Sequence, residues 1–286
     1  MRFAVVGGDR RSVLLCALLI QDGHRVRSWA LEGAELDANV QKAGCLQGCV
    51  YGADCVVLPT PCERNGRLIA PYASQPVQMT EIYQALWQGQ TVCGGAFSAE
   101  TNAAAAAAGV VPEDILKRRD FAVENAALTA EGTIGLMISR SEKSLWRSRV
   151  LICGFGRIGK ILALRLCALG CNVTVAARKA QDRAQARIFG CAAVGYAQLE
   201  PIIDSFDFVV NTVPVRIIGS ELLCCMREGT TIVELASAPY GFDAELAENV
   251  GLDVVSAPGL PGKSAPYAAA CLIRDAVYDI LRESEE

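Results

Sequence analysis

The stretch VLICGFGRIGK, Val150 to Lys160, decides the fold: an apolar β-type run breaks into glycines and enters the helix-like sequence IGKILALRLCALG. In a strand, turn and helix of this kind each glycine has its own task. Gly154 permits the tight turn, Gly156 lets backbone approach a pyrophosphate, and Gly159 lets the helix pack close to the strand. Phe155, Arg157 and Ile158 complete the cradle, and the phosphates meet the unpaired amides of the helix start. The next strand, CNVTVAARK, follows at the expected distance. Where an NAD-binding fold places an acid for the ribose 2′-hydroxyl, this chain has Ala177, Arg178 and Lys179. The basic pair, with Arg183, reads as a clamp for a 2′-phosphate, so NADP(H) is the expected cofactor. The competing reading is a buried helix start followed by a solvated basic turn.

The chain has 286 residues, 52% hydrophobic and 20% charged, which fits a globular protein of two ordinary domains rather than a disordered one. A net charge of −4 argues against nucleic acid as a partner. No apolar stretch reaches the roughly 18 residues of a membrane span, and MRFAVVGGDRR enters a strand directly rather than a signal peptide. A cytoplasmic protein without a membrane partner is expected. The 13 cysteines are odd in number and form no CxxC; Cys16, Cys55, Cys153, Cys167 and Cys271 sit in apolar runs and read as core residues. With one histidine in the chain, no metal site is expected.

The first half reads as another α/β unit: strand Phe3 to Val6, turn GGDRR, helix Ser12 to Gln21, strand Arg25 to Trp29. Further strands are expected at Cys55 to Leu58, Thr91 to Cys93 and Gly109 to Val111, with helices Met79 to Trp87 and Glu100 to Ala108 between them, giving a flavodoxin-like parallel sheet. KRRDFAVENAALTAEGTIGLMISRS suits a long connecting helix. The domains are therefore 1–145, with a final helix at 267–286 crossing back to it, and 146–266, the Rossmann domain. Strands at Val150 to Cys153, Asn172 to Ala176, Phe208 to Thr212, Thr231 to Leu235 and Asp253 to Ser256 build the second. The expected architecture is α/β, two doubly wound Rossmann-like domains with the active site in an interdomain cleft.

Ligands in open α/β sheets bind beyond the carboxyl ends of the strands. In the second domain Thr212, Val213 and Pro214, then Ala236 and Ser237, should flank the nicotinamide ribose and ring; the alternative is that proline and small residues here merely end strands and turn the chain. Gly262, Lys263 and Ser264 lie in the turn APGLPGKSAP, which presents an ammonium and a hydroxyl suited to a substrate carboxylate; an ordinary solvated turn is the alternative. In the first domain Arg10 and Arg11 follow the first strand and suit a dicarboxylate, against the alternative of an exposed basic pair with Asp9 as helix cap. Asn125, Thr129 and Glu131 are placed near the head of the connecting helix, with Glu131 as proton acceptor and Thr129 as hydrogen-bond donor; a capping box with Thr129 as cap competes. His24, in QDGHRV, lies away from the strand ends. A histidine acid of the 2-hydroxy-acid dehydrogenase type is absent from the second domain.

Together several segments resemble the A-subunit family of dipicolinate synthase from spore-forming bacteria. They are Gly7-Gly8-Asp9 with Arg11, Asn125 and Thr129 with Glu131-Gly132, GFGRIG followed by AARK, Asn211-Thr212 with Pro214, Leu235 to Ser237, and APGLPG with Ala265-Pro266. The resemblance implies NADP-dependent oxidation of dihydrodipicolinate to pyridine-2,6-dicarboxylate in sporulation, with a flavoprotein-like B subunit as partner; the chain itself is expected to be homo-oligomeric. Two positions depart from the family pattern: Tyr240-Gly241 stands where Gly-Gly is usual after the LAS segment, and Tyr267 where lysine is common after the Ala-Pro pair. The alternatives are another NADP-dependent two-domain dehydrogenase and a non-catalytic nucleotide-binding subunit of a heteromeric complex.

Overall fold

The computed structural model describes residues 1–142 and 144–284. They divide into two compact units, Met1–Asn125 with Ala265–Glu286, and Ala126–Ser264. The first contains β1 (Arg2–Val6), α1 (Arg10–Gln21), β2 (Arg25–Trp29), β3 (Gln41–Lys42), α2 (Leu46–Val50), β4 (Cys55–Val57), β5 (Glu63–Arg64), β6 (Arg67–Leu68), α3 (Met79–Ala85), β7 (Thr91–Gly94), α4 (Ala99–Ala107) and β8 (Pro112–Asp114). The helix α5 (Arg119–Arg140) leads into the second unit, which contains β9 (Arg149–Cys153), α6 (Arg157–Ala168), β10 (Asn172–Ala176), α7 (Ala180–Ile188), β11 (Ala192–Val194) and β12 (Phe208–Asn211). It continues with α8 (Ser220–Cys225), β13 (Thr231–Glu234), α9 (Ala244–Asn249), β14 (Asp253–Ser256) and α10 (Leu260–Ser264). The chain then re-enters the first unit as α11 (Pro266–Glu283).

Among the described residues each unit is built on one six-stranded parallel sheet, ordered β3-β2-β1-β4-β7-β8 in the first and β11-β10-β9-β12-β13-β14 in the second. Numbered within its unit, each reads 3-2-1-4-5-6, the doubly wound order. Without the two-residue edge strand β3 the first sheet would read 2-1-3-4-5, which is the flavodoxin order expected from sequence. The sequence pattern also misses β11, α2 and the β5–β6 hairpin, and puts the last strand of the first sheet ahead of Pro112. The units part inside α5, after Asn125, earlier than the Ser141 to Ser148 stretch where the boundary was expected.

Both sheets are buried on their two faces, as parallel strands joined by helical crossovers must be. In the first unit Leu15 and Leu19 of α1 pack with Val26, Ile273, Val277 and Ile280 on one face, while Val56, Met79, Ile82 and Val92 pack on the other. The α11 helix therefore completes a core that α1 alone leaves open. In the second unit Leu162 and Leu166 of α6 cover Val150 and Ile152, and Ile203, Phe206 and Leu223 cover Leu151 and Val209. The alanine-rich α4 is capped by Ser98, the residue before it, whose Oγ accepts from the Thr101 amide at 3.1 Å, a side-chain cap on a strong helix former.

Because Ile280 is 3% exposed in the α1–α11 core, Ile280→Ala should cost about 2–5 kcal/mol of first-unit stability in urea denaturation. A loss below about 1 kcal/mol would mean that α11 is not part of that core.

Candidate functional site

The turn between β9 and α6 meets the three demands placed on its glycines. Gly154 has φ +99°, the left-handed region, and a Cβ there would strike the Thr212 hydroxyl and come within 2.7 Å of Val213 Cγ2. A Cβ on Gly159 would fall on the Gly154 carbonyl oxygen, so the helix can approach the strand only with glycine at that position. At Gly156 the result is the opposite: a Cβ would meet no heavy atom within 4 Å. Gly156 is the N-cap of α6 and offers no side-chain cap, leaving the first-turn amides free for an anion.

This turn opens onto a cavity of about 730 Å³ lined by Gly154, Phe155, Gly156, Arg157 and Ile158, by Arg178 and Lys179 after β10, and by Thr212, Val213 and Pro214 after β12. Ten of the residues named from sequence for a cofactor are thus brought together. Gly159 sits beneath them. Arg183 does a different job from the clamp first assigned to it: its Nη1 donates to the carbonyls of Ala177 at 2.8 Å and Arg178 at 2.7 Å, holding the basic turn in shape. Ala236 and Ser237 do not line the cavity; the Ala236 amide donates to Glu234 Oε1 at 2.8 Å, and Ser237 is exposed.

Sequence reasoning missed Asp182, Tyr196, Val215 and Ile217 in the same lining. Burial pushes the Tyr196 phenol up to about 12, so it stays a neutral hydroxyl. Asp182, in the first turn of α7, was signalled by its place after the basic pair; Tyr196, in a short 3₁₀ turn, had no pattern to reveal it.

The substrate residues named from sequence fall differently. Asp9 caps α1 and also binds Arg11, whose Nε and Nη2 donate to its carboxylate at 2.9 and 2.8 Å, so the Arg11 guanidinium is already committed and the capping alternative describes it. Arg10, the first residue of α1, is exposed. Asn125 and Thr129 lie within α5, well past its start at Arg119, so Thr129 caps no helix; it is 7% exposed, and its carbonyl accepts from Thr133 Oγ1 at 2.8 Å. Glu131 is a surface residue, its side chain 71% exposed and 3.8 Å from Arg165, which does not suit a proton acceptor.

Gly262, Lys263 and Ser264 form part of the short helix α10 rather than a loop. Ser264 Oγ donates to the Leu260 carbonyl at 2.9 Å and lies against α5, where a Cβ on Gly132 would come within 2.5 Å of it. Lys263 is exposed. Tyr240 has φ +62°, which explains why glycine suits that position, and Tyr267 is exposed in the first turn of α11.

A doubly wound unit with this cradle defines the second half as a dehydrogenase-type dinucleotide-binding domain. Residues 123–251 match the family described as D-isomer specific 2-hydroxyacid dehydrogenase, NAD binding domain, which points to a nicotinamide dinucleotide as cofactor class and to oxidoreduction. Residues 2–116 match the N-terminal domain family of the dipicolinate synthase A subunit. The chain is 34% identical over 169 residues to the dipicolinate synthase A subunit of Bacillus subtilis (strain 168), a match covering 59% of this chain and 57% of that protein, so the aligned part spans little more than half the relative's length.

Crystal structures carry the likeness across both units. The dipicolinate synthase A subunit from Bacillus halodurans superposes with TM-score 0.88 at 24% identity over 98% of this chain and 97% of that one. Its counterpart in the Bacillus subtilis dipicolinate synthase gives 0.87 at 26% identity over 100% and 98%. The resemblance to the dipicolinate synthase A subunit read from the sequence therefore stands. No helix among the described residues is long and apolar enough to cross a membrane.

Gly156→Val should fold with a thermal midpoint near that of the wild type, since the added side chain has room, yet lose dinucleotide binding by calorimetry because it fills the phosphate path. Undiminished affinity in the folded variant would make the turn a structural feature only.

Proposed function

We propose that this chain is the NADP-dependent A subunit of a dipicolinate synthase, oxidising dihydrodipicolinate to pyridine-2,6-dicarboxylate during sporulation. The reading rests on the likeness of both units to the dipicolinate synthase A subunit, together with the residues of the cavity. The observation that carries the cofactor choice is the Arg178–Lys179 pair at the end of β10, held in place by Arg183. A 2′-phosphate suits these cations, whereas a free ribose 2′-hydroxyl lacks the carboxylate it usually meets there. Asp182 borders the same end of the cavity from the first turn of α7, past the strand end where that acid would stand.

The cavity fits a dinucleotide on the chain's own geometry. The space over Gly156 and the uncapped start of α6 receive the pyrophosphate, and the Thr212 to Ile217 wall receives the far half of the molecule. The nicotinamide, when bound, supplies the hydride acceptor. One hydride and one proton leave the dihydropyridine ring, and aromatisation drives the step, so the protein's main contribution is positioning. With Arg11 tied to Asp9 and Glu131 on the surface, the exposed Lys263 of α10, in the second unit, is the cation we assign to a substrate carboxylate. A flavoprotein-like B subunit is the proposed partner, and the chain itself is taken to be homo-oligomeric.

The test is an assay for NADPH formation coupled to dipicolinate absorbance, with the B subunit present or omitted. Arg178→Ala should weaken NADP⁺ binding at least about tenfold and leave NAD⁺ nearly unchanged, the loss expected for one charge-assisted hydrogen bond. Equal losses for both cofactors would remove the clamp. No dipicolinate formed by the chain with its partner would remove the activity.

A further inference from the structure

Adjacent to the cavity two loops converge on one buried carboxylate. Glu234, the last residue of β13, is 3% exposed. Its Oε1 accepts from Asn211 Nδ2 at 2.7 Å and from the Ala236 amide at 2.8 Å, and its Oε2 accepts from the Gly241 amide at 2.7 Å. Asn211, the last residue of β12, stands opposite Glu234 in the parallel register and is fully buried. Its side chain also grips the next turn from both sides, accepting from the Val213 amide at 3.1 Å and donating to the Val213 carbonyl at 3.0 Å.

The contacts close into a knot. The Gly241 carbonyl accepts from the amides of Ile217 at 2.9 Å and Ile218 at 3.0 Å, at the far end of the same wall. A Cβ on Gly241 would land on the Asn211 amide, so that position admits no side chain. Glu234 thus reaches the 212–217 segment at both ends, through Asn211 at Val213 and through Gly241 at Ile217.

A buried carboxylate is an expensive way to fill a core. Burial pushes the Glu234 carboxyl above its ordinary range, against the pull of three donors. An apolar residue would pack there at lower cost but would leave those donors unpaired. We propose that Glu234 is a positioning residue, which acts through Asn211 and Gly241 to fix the Val213 to Ile217 wall for the nicotinamide half of the cofactor. The two halves separate because β10 and β12 flank β9: the basic pair follows β10 on one side of the glycine turn, and this wall follows β12 on the other. The proposal rests on the dinucleotide reading of the cavity.

The experiment compares the wild type with Glu234→Gln and Asn211→Ala in the full chain. Amide hydrogen exchange is read without ligand, and affinity is measured for NADPH and for adenosine 2′,5′-bisphosphate, which lacks the nicotinamide half. In either orientation a glutamine amide turns one N–H toward a donor it cannot bind. Exchange across 212–218 and at Gly241 should therefore accelerate about tenfold, with Val150 to Cys153 unchanged. NADPH should weaken about tenfold while adenosine 2′,5′-bisphosphate stays within about twofold. Asn211→Ala should shift both readouts the same way.

Unchanged exchange, equal weakening of both ligands, or failure of both variants to fold would each overturn the positioning role. If the wild type binds neither ligand, the dinucleotide reading fails and with it the assignment to a cofactor half, while the exchange measurement still decides whether Glu234 fixes the wall.

Discussion

The second unit depends on the approach of α6 to the end of β9, where Gly159 lies on the Gly154 carbonyl with no room for a methyl group. That contact fixes where the helix begins, and the helix start fixes where free amides point. Everything attributed to the cavity follows from it: the open space at Gly156, the basic turn of β10 on one side and the Val213 to Ile217 wall on the other. The supporting polar groups serve the same arrangement. Arg183 shapes one border by holding carbonyls, and Glu234 shapes the other by holding amides.

The first unit repeats the topology without repeating the site. Its β1 also ends in glycines, Gly7 at φ +69° and Gly8 at φ +103°, but the turn is already occupied by the chain itself. The Gly8 amide donates to the Ile69 carbonyl at 2.9 Å, and a Cβ on Gly7 would come within 2.5 Å of Leu68 Cδ2. The β5–β6 hairpin and the segment after it therefore cover the turn that stays open in the second unit. With Asp9 capping α1 and holding Arg11, the phosphate-binding geometry of one unit becomes a closed structural turn in the other. One fold supports both outcomes because the site resides in the loops rather than in the sheet.

The glycine spacing and the apolar strand runs made the second unit legible from sequence, down to the strand Asn172–Ala176. The edge pieces were not legible, for physical reasons. The strand Gln41–Lys42 has no apolar face to announce it, being exposed at both residues, and Ala192–Val194 is too short and weak in β-propensity. The Pro112–Asp114 strand begins on a proline, which suits an edge and disguises one. Among site residues, those adjoining the glycine turn could be placed by local rules. Arg11 and Glu131 could not, because their partners were decided by helix phase and by competition from Asp9 and Arg165. Glu234 left one sign, a lone carboxylate closing the apolar run TIVE, which ordinarily calls for buried partners.

Chemical-shift mapping tests the central claim most directly, with NADP⁺ titrated into the isotopically labelled chain and the backbone amides followed one by one. The account predicts saturable shifts concentrated at Gly154 to Ile158, at Arg178 and Lys179, and along Thr212 to Ile217, with NAD⁺ giving a weaker titration of the same amides. Shifts confined to other parts of the chain, or no saturable shifts at all, would contradict it.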